Sequence, residues 1–318
     1  MNEVKKNIFS SNEDVNTILK SIIKSKSFAN GYIFCGAEGI GKKKAAIQFI
    51  KEIFKQSPIN KNIEQNIKNH PDFLIIEPIS LLETKRSKNP DLEKPKNSGS
   101  EIIKIAQIRN IKNFLGQKSI NSEKKIVLII DAHLLNEAAS NCLLKTLEEP
   151  SNGMFILLTS KLNILLDTII SRCQIVRFRS LSATQITSIS EEYFDPLNYS
   201  INSKLNIQDL INSANGSPGQ LLKNIEILDE LSDDIANKLT LPIKNSLEIL
   251  EVSKIISEKL EVYQQILLVN LIQIIWWRKT KNINILKKLE GLKFHLKNNT
   301  QPRLAWEITF LKISMECG

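Results

Sequence analysis

Paired cysteines are missing from this chain. Its four cysteines, Cys35, Cys142, Cys173 and Cys317, are scattered singly, with no C-x-x-C pair. That spacing gives neither a disulfide framework nor a structural zinc site, so a reduced, cytoplasmic protein without zinc is expected. Nothing in MNEVKKNIFSSNEDV resembles a signal peptide, because it has no apolar segment. Long hydrophobic runs are also lacking. The greasiest stretch, ILLVNLIQIIWW (266–277), is too short to cross a bilayer and carries Asn270 and Gln273, so no membrane contact is expected. Arginine is scarce: it supplies seven of the 43 basic residues, and three of the seven are Arg172, Arg177 and Arg179. A lysine-rich chain that spends its planar, bidentate cation there marks the segment for attention.

What is present is ordinary for a globular protein, with 42% hydrophobic and 24% charged residues. A length of 318 residues exceeds what one core usually serves, so two or three domains are expected. The formal charge of +9 invites a nucleic-acid reading. Lys, Asn and Ile crowd the whole chain, however, so the basicity reflects composition and does not by itself identify a DNA-binding surface.

Five short apolar runs lie between residues 31 and 180: YIFC (32–35), FLII (73–76), IVLII (126–130), MFILL (154–158) and QIVRF (174–178). Each has strand length and is apolar on both faces, as a buried parallel strand should be. Helical patterns separate them. KKAAIQFIKEIF follows a glycine loop, and EIIKIAQIRNIKNFL (101–115) repeats Ile at helical spacing. EAASNCLLKTLE (137–148) has Asn136 as N-cap and Pro150 as a stop. This alternation predicts an α/β domain with a parallel five-stranded sheet. TKRSKNPDLEKPKNSGS (84–100) reads as an exposed loop within it. Beyond residue 180 the strand signals stop. Ser182 and Gln185 form an S-x-x-Q capping box, GSPG (216–219) breaks the pattern, and amphipathic helices run from about residue 230 to the end. The expected division is an α/β domain over 1–180, a small helical domain over 181–228 and a C-terminal helical domain over 229–318.

Two motifs carry candidate chemistry. GAEGIGKKKAA (36–46) matches G-x-x-x-x-G-K between a strand and a helix, as a P-loop requires. Gly36, Gly39, Gly41 and Lys42 are its candidate phosphate-binding residues, with backbone N–H groups aimed at the anion and Lys42 as point charge. Lys43 stands where such loops place a hydroxyl for Mg²⁺, and its charge is expected where the metal would be held. A glycine turn that only shapes the junction is the alternative. In KIVLIIDAH (125–133) an apolar strand ends in Asp131, placed to hold a metal-bound water. The next residue is Ala132, which can do no acid–base work. His133 reads as a hydrogen-bonding residue more readily than as a base.

A third segment carries a resemblance. DAHLLNEAASNCLLKTLEEPSNGMFILLTSKLNILLDTIISRCQIVRF resembles the AAA+ core of bacterial clamp-loader subunits, through NEAA…LLKTLEEP followed by a strand and SRC. HPDFLIIEP (70–78) and ANGSPGQLL (214–222) are similar to the delta-prime branch of that DNA polymerase III family. The resemblance runs from about residue 10 to residue 225. It implies an AAA+ P-loop core, a helical lid and an all-α collar through which subunits form a ring. It implies that Arg172, of SRC, points at ATP held by the next subunit, whereas Arg177 and Arg179 are expected on a solvated face.

The departures from the family matter as well. No cysteine occurs in KQSPINKNIEQNIKN (55–69), where relatives often carry a zinc module. Gly219 ends a G-S-x-R stretch in which active ATPases have arginine. The expected function is a non-catalytic clamp-loader subunit of the DNA polymerase III holoenzyme, with a degenerate nucleotide site that leaves vestigial ATP or ADP binding open. Its expected partners are gamma/tau-type ATPase subunits and a delta subunit in a hetero-oligomeric ring, and through them the sliding clamp and primed DNA. The rival readings are a self-sufficient AAA+ ATPase of gamma/tau type and a DNA-binding protein acting through its basic surface.

Overall fold

A computed structural model describes residues 12–55, 67–80, 101–148, 153–193, 207–298 and 300–317. The expected loop at 84–100 and the helix stop at Pro150 lie outside these residues. The described chain divides into two compact units, with the boundary between Leu181 and Ser182.

The first unit is built on β1 (Gly31–Cys35), β2 (Phe73–Ile76), β5 (Lys125–Ile129), β6 (Gly153–Thr159) and β7 (Gln174–Arg177). They form one parallel sheet in the order β2-β5-β6-β1-β7. All five expected strands are therefore present. The three inner strands, β5, β6 and β1, are buried at every position, whereas β2 and β7 at the edges are only partly covered. This is why the inner strands read as unbroken apolar runs: both of their faces meet helices.

Alternation along β1 sorts the two faces. Tyr32 and Phe34 meet Phe49 of α2 (Lys42–Lys55), with ring centroids 5.8 and 6.2 Å apart. Ile33, Val127, Ile129, Phe155 and Leu157 meet the opposite layer, supplied by Ile108 and Ile111 of α3 (Ile105–Leu115) and Leu143 of α4 (Glu137–Glu148). Helix α1 (Glu13–Ser25) adds Val15 and Leu19 to the core.

One expected helix boundary fails. Helical spacing of Ile extends α3 back to Glu101, but Glu101–Ile102 forms a short strand, β4, paired with β3 (Ile79–Ser80). Ile103 then bridges to Leu135. Backbone pairing with two separate segments overrides local periodicity there. The expected N-cap is present: Asn136 Oδ1 accepts from the Ala139 N–H at 2.8 Å.

The second unit is helical. The capping box at its start forms, with Ser182 N–H donating to Gln185 Oε1 at 3.0 Å and Gln185 N–H to Ser182 Oγ at 3.2 Å. It opens α6 (Ala183–Tyr193), which follows the short α5 (Asp167–Ile170) of the first unit. GSPG interrupts the helical pattern as expected. Ser217 caps and Pro218 begins α8 (Pro218–Glu230), after α7 (Ile207–Ser213), because proline suits the first turn of a helix. The remaining helices are α9 (Asp233–Lys238), α10 (Ser246–Lys259), α11 (Val262–Thr280), α12 (Ile283–Lys297) and α13 (Pro302–Cys317). Among the described residues no helix is long and apolar enough to cross a membrane.

Trp276 and Trp306 belong to the core of this unit. Both are fully buried and flank Phe310, at 5.6 and 5.2 Å. Their indole N–H groups donate to Leu239 O at 2.8 Å and to Gln265 Oε1 at 2.9 Å, which satisfies the polar edge a buried indole brings with it. Of the three tryptophans, only Trp277 is exposed.

A buried carboxylate organises the rim of the first unit. Asp72 is fully buried and accepts from the N–H groups of Ile120, Asn121 and Ser122 and from Ser122 Oγ, at 2.7 to 2.9 Å. Burial alone would raise its pKa, but these hydrogen bonds outweigh burial and hold it below the usual carboxylate range. A depressed folded-state pKa adds stability that is present above the unfolded value and lost as pH falls through the folded one. Asp72→Asn should therefore cost about 2–4 kcal/mol at neutral pH by leaving donors unpaired. Denaturant melts from pH 7 down to acid should show this gap between wild type and variant closing as the wild-type carboxyl takes up its proton.

Candidate functional site

The glycine loop leaves the C-terminal end of β1, where that strand lies between β6 and β7. The next two strands outward, β5 and β2, come from the other side of the chain order, which makes the carboxyl ends of β1 and its neighbours the place where such sheets bind ligands. Gly36 N–H donates to Thr159 O at 3.2 Å, and Phe178 N–H donates to Cys35 O at 2.7 Å, so both neighbouring strands fix where the loop begins. A Cβ on Gly36 would stand 2.5 Å from Phe178 O and 2.8 Å from Phe178 Cβ, an approach only glycine permits. Gly41 differs: its φ is 95°, in the left-handed region, and an added Cβ would meet nothing within 4 Å. The loop therefore keeps open space beside Gly41, at the start of α2.

Lys42 is buried and turned into the loop. Its Nζ donates to Gly36 O and Ala37 O, each at 2.7 Å. Burial lowers its pKa, while the negative charges of Asp131 and Glu38 act in the opposite direction. Asp131 is thus electrostatically joined to Lys42. It follows β5 with φ 49° and ψ 52° and leads into a 3₁₀ turn, Ala132–Leu134.

Lys43 takes another direction. Its Nζ lies 2.8 Å from Glu77 Oε1, with both side chains about half exposed. Glu77 follows β2, and its carbonyl accepts from Gln107 Nε2 at 2.8 Å. An ammonium paired with a carboxylate thus stands where a P-loop places the hydroxyl that ligates Mg²⁺. Among the described residues, no group of three or more His, Cys, Asp or Glu side chains could hold a metal ion.

His133 stands 3.4 Å, through Nδ1, from Thr159 Oγ1. Burial lowers its pKa, with nearby Asp131 opposing that effect and Lys161 and Lys42 adding to it, which favours the neutral ring. Thr159 is the polar residue that the sequence reading passed over. It is fully buried, ends β6 beside Cys35, and also accepts from Lys161 N–H at 3.1 Å. A hydroxyl closing an otherwise apolar strand, in FILLTS, was the available signal. Glu77 left no comparable trace.

Arg172 is not part of this cluster. It precedes β7, and its carbonyl would lie 3.5 Å from a Cβ on Gly31, the first residue of β1. In a parallel sheet that places it at the amino end, five residues or about 16 Å along the strand from Gly36. The gap is longer than an arginine side chain can bridge. Its guanidinium instead pairs with Glu148 at 2.6 Å. Cys173, beside it, is tightly packed: a Cβ on Gly31 would meet its Sγ at 2.6 Å, and burial pushes its thiol up to about 11. The cysteine of SRC is therefore a packing residue and not a nucleophile. Arg177 and Arg179 are on the exposed edge as expected, Arg179 pairing with Asp14 at 3.2 Å.

Three comparisons bear on these features. A family model described as DNA polymerase III, delta subunit, matches residues 11–182, and one described as Cyanobacterial DNA polymerase III delta prime, C-terminal domain, matches 197–313. DNA polymerase III subunit delta' of Bacillus subtilis is 32% identical over 179 residues, 53% of this chain and 48% of that relative. The subunit of the same name from Pseudomonas aeruginosa is 32% identical over 154 residues, 46% of this chain and 42% of its own. The chain thus matches less than half the length of these relatives. A DNA polymerase III gamma subunit-related protein from Thermotoga maritima aligns with a TM-score of 0.53 at 18% identity, over 95% of this chain and 99% of that structure, and so shares the fold.

The clash at Gly36 yields a test of the loop's anchoring. Gly36→Ala should destabilise the protein by about 1–3 kcal/mol, because the obstructing atom is backbone that cannot move aside. Thermal unfolding of the purified variant would register this as a clear fall in melting temperature.

Proposed function

The chain belongs to the family described as DNA polymerase III, delta subunit, and from that premise we propose that it is a delta-prime-type clamp-loader subunit that does not turn over ATP itself. In this reading residues 1–180 are the AAA+ core, 181–228 a lid and 229–318 the collar that joins a hetero-oligomeric ring. The ring's other members are gamma/tau-type ATPase subunits and a delta subunit. Together they open a sliding clamp and place it on primed DNA. Arg172 acts in trans, on ATP bound by the neighbouring subunit.

The observation that carries this reading is the position of Arg172. An arginine at the amino end of the sheet cannot serve a phosphate loop at the carboxyl end of the same sheet, yet it is exposed where another chain could meet it. Supplied to a neighbour, a guanidinium neutralises charge developing on the γ-phosphate, worth roughly 10³–10⁵ in rate in well-studied NTPases. The chain's own loop supports phosphate binding without turnover. Lys42 and the open space at Gly41 remain, while Lys43 is committed to Glu77 and Ala132 offers no base. These two substitutions favour a partner-dependent role over a self-sufficient ATPase.

Two measurements test the proposal. Purified protein given Mg²⁺-ATP should show no hydrolysis above that of Lys42→Ala, and turnover that depends on Lys42 would overturn the reading of the loop. In a reconstituted loader, Arg172→Ala should assemble normally by gel filtration yet lower clamp-stimulated ATP hydrolysis and clamp loading. The loss acts on the chemical step more than on binding. Total hydrolysis falls only in part, because this chain serves one of several ATP sites. Arg172→Lys should be nearly as defective, since lysine keeps the charge but loses the planar fork. Normal loading by an intact Arg172→Ala complex would leave the chain as scaffold.

A further inference from the structure

Arg172 does not sample solvent at random. Its Nη2 lies 2.6 Å from Glu148 Oε1, its Nη1 donates to Thr168 O at 2.9 Å, and a longer contact of 3.5 Å joins Nη1 to Ser171 Oγ. The two close acceptors come from different elements. Thr168 lies in α5, one turn before the arginine, whereas Glu148 is the last residue of α4. The main chain at Arg172 is fixed separately, through Cys173 packed on Gly31. Backbone and side chain therefore have independent supports.

Glu148 is also out of place by the rules of its own helix. The last turn of a helix carries unpaired carbonyls and favours a cation, so an acidic residue there is unfavourable unless a positive group stands beside it. Arg172 is that group. The pair is well exposed, at 38% for the arginine and 52% for the glutamate, and exposed pairs add little to folding stability. A contact that contributes little to the fold, in a position its helix disfavours, calls for another role.

We propose that Glu148 is the positioning residue for Arg172. The guanidinium offers five N–H donors in a rigid plane, and the three contacts above use at most three of them. Held between Glu148 and Thr168 O, the plane cannot turn about the long side chain, and its unused donors stay available to a phosphate on the neighbouring subunit. Without Glu148 the side chain regains rotamer freedom, and part of the interaction with the neighbour's nucleotide goes to ordering it again. The inference rests on the reading of Arg172 as a trans-acting arginine and adds the group that orients it.

The test is a double-mutant cycle in the reconstituted loader: wild type, Glu148→Ala, Arg172→Ala and the combined variant, with Glu148→Gln as the conservative change. Glu148→Ala should slow hydrolysis at the one site this chain serves by about two- to fivefold at unchanged KM, the range an exposed ion pair can supply, read as a partial fall in total clamp-stimulated hydrolysis no larger than that of Arg172→Ala. In the Arg172→Ala background the same change should do nothing more. Glu148→Gln keeps an acceptor oxygen and should fall between wild type and alanine. Melting temperatures of all the isolated chains should stay close to wild type, which separates positioning from folding. Equal losses in both backgrounds would overturn the proposal, since Glu148 would then act on something other than Arg172. So would full activity of Glu148→Ala beside a defective Arg172→Ala, an outcome that leaves the arginine's own role standing. Full activity of Arg172→Ala would remove both.

Discussion

Strand β1 is the constraint on which the other features depend. It is buried on both faces and paired along its length with β6 on one side and β7 on the other, so neither end can move independently. Its carboxyl end delivers Gly36 against the backbone of Phe178, and its amino end brings Gly31 against the sulfur of Cys173. Two glycines are needed because, at each end, another part of the chain comes closer than a methyl group allows. One strand thus holds the glycine loop at one end and the approach to Arg172 at the other.

That separation bears on the proposed role, in which the loop and the exposed arginine would meet different nucleotides. Residues on the same chain act on the same phosphate only if they converge, and a parallel sheet keeps its two ends apart by the rise of its strands. The loop's losses are also local and physical. Lys43 pairs with Glu77 just past β2, and Ala132 is buried at the start of a 3₁₀ turn that follows Asp131. What remains is Lys42, held by its own loop carbonyls, and His133 paired with Thr159. These contacts fix the shape of the loop.

Several buried polar groups are matched to partners that bind separate segments together, although Ser253 Oγ and Asn212 Nδ2 are buried without one. Asp72 gathers three consecutive backbone amides of the turn before β5. Lys125 donates to Phe114 O at 2.6 Å, closing the end of α3, and lies 4.5 Å from the Phe114 ring. In the helical unit, Gln265 accepts from Trp306 and donates to Leu260 O, which lets two helices share one polar contact inside an apolar core. Each arrangement avoids the cost of an unpaired buried group, and each fixes a loop or helix end that apolar packing alone would leave loosely placed.

Local pattern was sufficient for the five strands, the Asn136 cap and the Ser182–Gln185 box, because burial on both faces and capping chemistry act over a few residues. It was also enough to single out the loop, Asp131 and Arg172, since their spacing is a property of the chain. Tertiary structure decided what pattern could not carry. Ile102 and Ile103 follow helical spacing yet pair as strand, because partners at Ile79 and Leu135 compete for their backbone groups. Trp276 and Trp306 have the composition of an interface and the burial of a core, a choice made only when the helices pack around Phe310. The partners of the charged residues, Glu77 for Lys43 and Glu148 for Arg172, lie 34 and 24 positions away in the chain. An ion pair over that distance leaves no mark on local sequence; only the fold brings its two charges together.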